Sequence, residues 1–591
     1  MSSGPSLVDE AYAEALLNAV QHNGKPSVQA VASKLLGAHP ELRANPREAY
    51  GAAEKACAKA SALSVDDQKA ALEQVREQLT KRVQRREREQ GELPDIPGRP
   101  ERVVTRFSPN PDGPLHLGNL RAAVLSYEYA KKYGGKFLLR FEDTDPKVKP
   151  PILEAYDWIR QDLRWLGISC DQEFIQSDRI QVYYEYARKL VASGAAYVCE
   201  CGRDEFKKYK DAGTSCPHRA RPDSSEAFER MLSGGFPEEA AVLRLKSDLS
   251  DPNPALRDPA LARVIDTKTH PHPRLGSKYT VFPLYNFSTA VDDALMGVTL
   301  ILRGKEHLTN SHIQAKVQSA LHLPSPMSVQ YGRLQLEGYI LSKSQIRSAL
   351  ASDRMAGVFP SKHQGWDDPR LATLMALRRR GIQPKALVDL IVEVGAKSNE
   401  ARINWDNLAS INRRLVEPSA KRYFMVVDPV TLRVKGSPAP ELEARIPLHP
   451  GKPSLGSRAI KVPAPDGVFE VAVSAQDREL FATGSVVRLM DLANVKVTSS
   501  TGPTIEAELH SLEAKEAEGL RRGIVQWLPK DGQTSARLFK ASGMNMSVLE
   551  GVVESAISQE KSGTVVQLIR MGYASVDACL PGRVDMIYTH D

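Results

Sequence analysis

Residues 102–141 read RVVTRFSPNPDGPLHLGNLRAAVLSYEYAKKYGGKFLLRF, and their punctuation decides the fold class. RVVTRF is a short β-type run, and SPNPDGPLHLGN is a loop of turn formers. The next stretch is helical: Leu120, Val124 and Tyr127 share one face, and Gly134 stops the helix. KFLLRF is a second strand. Strand, glycine-bearing loop, helix and strand make a βαβ unit, and that unit implies a parallel sheet.

The same alternation extends outward. Helices are predicted at 151–166 and 178–193, followed by the strand AAYVCEC. Tyr279–Phe287, the strand VTLILRG, the helix SHIQAKVQSALHL and the strand-loop RLQLEGYILSKS come later. Residues 101–350 therefore read as an open, Rossmann-like α/β domain. Residues 195–278, rich in Pro, Ser, Gly and charge, interrupt it as an insertion. Residues 351–420 return to helix, in DDPRLATLMALRRRG and QPKALVDLIVEVG. Residues 421–591 are short β runs such as RYFMVV, RAIKVP and FEVAVS, an all-β region expected to form barrels. At the other end, residues 1–95 are dominated by helix formers and read as an all-α domain. A charge run, KRVQRREREQ, and a linker, GELPDIPGRP, follow it.

Composition bounds the function. The chain has 591 residues, which at about 150 residues per domain suggests roughly four domains. Apolar residues at 42% and charged residues at 26% exclude a disordered chain, a collagen and a small disulfide scaffold. No apolar run is long enough to span a bilayer. The start, MSSGPSLVDEAYAEALLNAV, has no basic segment before an apolar one, so a cytoplasmic protein is expected. Lys plus Arg exceed Asp plus Glu by 79 − 72 = 7, a mild excess that permits a polyanionic partner without demanding one. Six cysteines in so long a chain indicate a reducing compartment.

Three clusters could carry chemistry. Pro114-Leu115-His116-Leu117-Gly118-Asn119 sits between strand and helix, where free N–H groups and the positive dipole end favour a phosphate. Gly118 would let a base or ribose approach the backbone, and His116 could donate to phosphate oxygens. The bland alternative is a polar turn that only caps a helix. In Leu341-Ser342-Lys343-Ser344, Lys343 could neutralise a leaving pyrophosphate, although a lone lysine between serines is usually a surface residue. Cys199, Cys201, Cys216 and His218 offer four soft ligands, enough for a closed structural zinc site. The alternative is reduced thiols on a strand with His218 at the surface.

In this order and separation, the first two clusters resemble the HIGH and KMSKS signatures of class I aminoacyl-tRNA synthetases. RFSPNPDGPLHLG from Arg106, RFEDTDP from Arg140, and VDDALMGVTLILRGKEH ending at His307 resemble the glutamyl/glutaminyl branch. LLNAVQHNGKPSVQAVASKLLGAHPEL, GWDDPRLATLMALRRRGI and INWDNLASINRRL resemble the archaeal type of glutamyl-tRNA synthetase. The signatures depart in places: Asn119 stands for the second histidine of HIGH, Ile340 and Leu341 open the KMSKS segment, and Gln345 stands where many archaeal members have lysine.

The resemblance implies an ATP- and Mg²⁺-dependent ligase. It would join L-glutamate to the 3′ adenosine of tRNA(Glu), with tRNA(Gln) as a second candidate, and would work as a monomer away from membranes. His116, Lys343 and Asn119 would be catalytic. Pro114, Gly118, Thr144, Glu306, Leu341, Ser342 and Ser344 would face ATP. Arg106, Ser108, Glu142, Tyr285 and Arg303 would hold the amino acid, Glu142 taking its α-amino group. Thr289 stands where bacterial members have an asparagine near the substrate. Some members carry zinc in a comparable CxC…CxH arrangement. RNA contacts are expected from the insertion, from Arg378-Arg379-Arg380 along phosphates, and from the barrels at the anticodon.

A side-chain carboxylate wants a guanidinium fork, and Arg303 supplies one. The glutaminyl branch carries a small neutral residue there and FDDTNP in place of FEDTDP. The other readings are a glutaminyl-tRNA synthetase, a nucleotidylyltransferase on a small substrate, and a catalytically inactive RNA-binding paralogue. Retention of His116, Lys343, Glu142 and Arg303 argues against the last.

Overall fold

Hydrophobic runs with buried residues on both faces suit strands covered on either side, and the strands Val104–Phe107 and Lys136–Phe141 are buried along nearly their whole length. They pair in parallel, Val104 opposite Lys136, and Lys136–Phe141 pairs in parallel with Gln172–Ile175. On the other side Thr299 N donates to Val104 O at 2.9 Å and Met327 N donates to Thr299 O at 2.9 Å. The strand Leu300–Gly304 pairs in parallel with Met327–Tyr331. The strands therefore lie in the spatial order 172–175, 136–141, 104–107, 300–304, 327–331. The chain leaves 104–107 in both directions, so a crevice opens at the carboxyl ends of 104–107 and 300–304. The structure, a computed structural model, describes residues 7–21, 24–38, 42, 46–75, 93–96, 102–352, 355 and 359–591. The charge run 81–90 and most of the linker 91–100 lie outside the described residues.

The insertion builds its own layer. Ala196–Cys199, Val242–Leu245, Ala260–Val264 and Val281–Pro283 form a four-stranded antiparallel sheet, which runs a few residues beyond the expected boundary at 278. Helices Ile180–Ala192 and Ser224–Leu232 pack on it through Tyr183, Leu190, Phe228 and Met231.

Helix follows in Leu374–Arg379, Pro384–Val394 and Trp405–Val416. DDPRLATLMALRRRG was expected to be helical throughout, but only Leu374–Arg379 is. Thr373 caps that helix, its Oγ1 accepting from Ala376 N at 3.1 Å. Ala372 O accepts from Leu117 N, and Leu374 N donates to Leu115 O, both at 2.9 Å. Tertiary backbone pairing has taken the groups an earlier helical turn would need.

Residues 421–591 form two closed barrels. In the first, one segment supplies both edges of the sheet: Arg422–Tyr423 pairs with Val565–Leu568, while Met425–Val427 pairs with Asn545–Glu554. In the second, Arg521–Val525 pairs with Val486–Leu489, and Leu528–Pro529 pairs with Val468–Ser474. A strand that bends to serve both edges leaves no row of unpaired amides. Phe424 and Trp527, at the two bends, are fully buried.

Residues 1–94 are a separate compact unit. Its helices Leu7–Gln21, Val28–Ala38 and Pro46–Ser61 close over a core rich in alanine, including Ala11, Ala15, Ala49 and Ala53. No helix among the described residues is long and apolar enough to cross a membrane.

Candidate active site

At the switch point lies a cleft of about 1710 Å³. Arg106, Ser108, His116, Gly118, Asn119, Glu142, Thr144, Tyr285, Arg303, Glu306 and Leu341–Ser344 all line it, so the fold collects residues more than 200 positions apart. Pro114 is buried and does not line the cleft.

His116 is the N-cap of the helix Leu117–Lys132. Its Nδ1 accepts from Gly118 N at 3.1 Å, and Asn119 Oδ1 accepts from His116 N at 3.1 Å, a reciprocal capping box. The N-cap bond assigns the imidazole proton to Nε2. Burial, followed by the charge of Lys343, pushes His116 down to about 3, so it is a neutral donor at physiological pH. Two expectations change here. The amides of Leu117, Gly118 and Asn119 are already engaged, so the helix end offers its dipole and His116 Nε2–H rather than free N–H groups. A Cβ on Gly118 would sit 2.9 Å from the His116 ring, so the glycine admits that ring. Asn119, in place of a second histidine, is a capping residue in this structure.

Lys343 is nearly enclosed. Its Nζ donates to Asn110 O at 2.7 Å and pairs with Asp112 at 3.0 Å. Burial pulls its ammonium down, and Asp112 opposes that pull. Asp112 had no sequence signal, because its partner lies 231 positions away. Ser342 and Ser344 hydroxyls lie 3.1 Å apart beside it.

The amino-acid end is a lattice of buried charge. Asp293 accepts from Arg106 Nε at 3.1 Å and from Arg140 Nη1 at 2.8 Å. Arg140 Nη2 donates to Glu142 at 3.0 Å. Arg303 is different. Its Nη1 donates to the neutral groups Gln314 Oε1 at 2.8 Å and Ser311 Oγ at 3.2 Å, and its Nε is buried without a partner. Among the described residues Arg303 makes no ion pair, and both burial and Arg106 disfavour its charge. Such a guanidinium calls for an anion from outside. Ser108 Oγ and Asn110 Oδ1 are likewise buried and unpartnered. Tyr285 lines the same end, its hydroxyl pushed up by burial and by Glu142. Thr144 Oγ1 donates to Pro283 O at 3.2 Å, and Glu306 lies 3.8 Å from Arg333. Arg140, Asp293 and Thr289 are the residues the sequence reading left without a role. RFEDTDP contained the first, but nothing in sequence marked Asp293 as its partner, or Thr289 as the partner of Glu142.

The Arg378–Arg380 run does not behave as three phosphate contacts. Arg380 is buried, and Arg379 is paired with Asp367 and Asp577. Neither Arg378 nor Arg380 makes an ion pair among the described residues: Arg380 donates to the Tyr339 hydroxyl, Tyr588 O and Ala541 O, and Arg378 lies over the Trp165 ring at 5.7 Å.

The cysteine cluster assembles. The ligand atoms of Cys199, Cys201, Cys216 and His218 all lie within 4.8 Å of one another. Cys199 Sγ is 3.9 Å from Cys216 Sγ, and Cys201 Sγ is 3.4 Å from His218 Nδ1. A tetrahedron with Zn–S of about 2.3 Å has an edge of about 3.8 Å, so the donor set fits zinc.

The model of the class I E and Q tRNA synthetase catalytic domain matches residues 102–418. Two models of the E and Q anticodon-binding domain match 420–512 and 524–577. The chain belongs to the class I tRNA synthetases for glutamate and glutamine. It is similar to the glutamate–tRNA ligase of Pyrococcus furiosus, 44% identical over 580 residues and 98% of each chain. It is also similar to those of Thermococcus kodakarensis, 44% identical over 98% of each, and Metallosphaera sedula, 42% identical over 99% of each. Within its family the chain is therefore of the archaeal glutamate–tRNA ligase type, and it is an aminoacyl-tRNA ligase.

Proposed function

We propose that the cleft activates L-glutamate with ATP and passes it to the 3′ adenosine of tRNA(Glu). The observation that carries the choice of glutamate is Arg303, a buried guanidinium facing the cleft with neutral partners only. A γ-carboxylate completes its hydrogen bonds, whereas a carboxamide presents an N–H₂ face to a cation. Arg106 lies beside it, held by Asp293, and Glu142 accepts the α-ammonium.

The substrate α-carboxylate attacks the α-phosphorus of ATP, forming the C(O)–O–P bond of glutamyl-adenylate and releasing pyrophosphate. Negative charge grows on the phosphate oxygens, where His116 Nε2–H donates and Lys343 supplies a fixed cation. Mg²⁺ bound with ATP would supply further neutralisation of phosphate charge. The terminal ribose hydroxyl then attacks the acyl carbon, and AMP leaves. Thr144, Glu306, Ser342 and Ser344 are the neighbours of ATP in this reading.

Zinc held by Cys199, Cys201, Cys216 and His218 would be structural, since four protein ligands leave no open position. It would anchor the insertion that receives the acceptor end. The six unpaired cysteines support a reducing, cytoplasmic setting.

ATP–pyrophosphate exchange with glutamate and with glutamine, each with and without tRNA(Glu), tests the reading. Exchange with glutamate is expected, and Arg303→Ala should abolish the preference. Exchange with glutamine alone would overturn it. Charging assays with tRNA(Glu) and tRNA(Gln) then define the RNA range.

A further inference from the structure

Glu142 is held by one oxygen. Arg140 Nη2 and Thr289 Oγ1 both donate to its Oε1, each at 3.0 Å. Among the described residues no donor reaches Oε2. The two donors come from different elements, the strand Lys136–Phe141 and the helix Tyr285–Leu295, and both side chains are fully buried. Arg140 is itself fixed by Asp293. A single donor would leave the carboxylate free to rotate about its last torsion, which is broad for a glutamate. A second donor on the same oxygen, from a stiff β-branched side chain, sets the plane of the group.

We propose that Thr289 is a positioning residue for the amino-acid substrate: its hydroxyl, bound to Glu142 Oε1, turns Oε2 toward the substrate's α-ammonium and so selects an α-amino acid over a diacid without the amine. This rests on the reading of Glu142 as the acceptor of that ammonium. Thr289 touches no substrate itself and acts through Glu142.

The test compares glutamate with glutarate, the same diacid lacking the amine, as a competitive inhibitor of exchange. Thr289→Val removes the hydroxyl with little change of shape. It is expected to raise the KM for glutamate about tenfold, the size of one hydrogen bond to a charged group. The Ki of glutarate and the KM for ATP stay unchanged, and Thr289→Ser restores the KM for glutamate. Glu142→Gln is the control and also weakens glutamate selectively. If Thr289→Val leaves the glutamate-to-glutarate ratio unchanged while Glu142→Gln shifts it, the positioning role is overturned and the role of Glu142 survives. If neither variant shifts the ratio, the reading of Glu142 fails and the proposal with it. Equal weakening of both ligands by Thr289→Val would mark a packing role and overturn the proposal. Should Thr289→Val not fold, Thr289→Ala gives the same readout.

Discussion

Arg380 Nη1 donates to the hydroxyl of Tyr339 at 2.7 Å, which makes Arg380, at the end of the helix Leu374–Arg379, the bridge between the segment carrying Lys343 and the first C-terminal barrel. Arg380 also donates to Tyr588 O at 3.1 Å and Ala541 O at 3.2 Å, both in the barrel, and lies 3.6 Å above the Trp405 ring. Tyr339 stacks on the same ring with centroids 5.5 Å apart. The barrel turn at Gly543 meets Gly338 so closely that a Cβ there would lie 2.8 Å from Gly338 O. Tyr339→Phe keeps the stack and deletes the bond. It is expected to lower the exchange rate several-fold without moving the melting temperature or the KM for glutamate. Steady-state exchange beside a thermal melt checks this, and an unaltered rate would show that the Gly338 contact alone sets the loop.

His116 links stability to pH. Its folded value of about 3 lies below the ordinary 6.5. Between those values the unfolded chain binds a proton that the folded site refuses, so stability falls as pH drops through that window. The slope contributed is at most about 1.4 kcal/mol per pH unit. Melts at pH 4 and pH 7 should differ less for His116→Gln than for the native chain. For the same reason, His116 adds no limb to the rate profile above pH 5.

Gly118→Ala places a methyl 2.9 Å from the His116 ring and 3.5 Å from Leu341 O. The ring has to leave its N-cap bond, so the exchange rate should fall by about a hundredfold, the scale of losing one oriented donor to a reacting oxyanion. The KM for glutamate should change little. Steady-state exchange separates the two constants.

Elemental analysis should find about one zinc per chain, held by the four-ligand cluster. Cys201→Ser is expected to lower metal content and weaken tRNA binding. The affinity for ATP, read by equilibrium dialysis, should not change. A metal-free chain with full tRNA affinity would reduce the cluster to buried thiols.

Much of the fold was legible. The βαβ unit at 102–141 was readable because period and punctuation are local. The barrels were readable as short strands with turns between, but not their closure, since the bends at Phe424 and Trp527 look like ordinary strand residues. The helix expected over 367–381 shrank because Ala372 and Leu374 pair with Leu115 and Leu117 across the chain. The arginine run misled for the same reason: charge density in sequence carries no sign of Asp367, Asp577 or Tyr588 waiting to bind it.

By itself the sequence determined the residue types that phosphate and carboxylate chemistry require, and the strand-loop-helix context that exposes them. Local propensity and spacing suffice for that. Only the tertiary structure decided which charges are already neutralised. Arg106, Arg140, Arg379 and Lys343 have carboxylate partners, while Arg303 meets only neutral groups. Pairing depends on distance through the fold, and two of the buried pairs, Arg106 with Asp293 and Arg379 with Asp577, join residues nearly 200 positions apart.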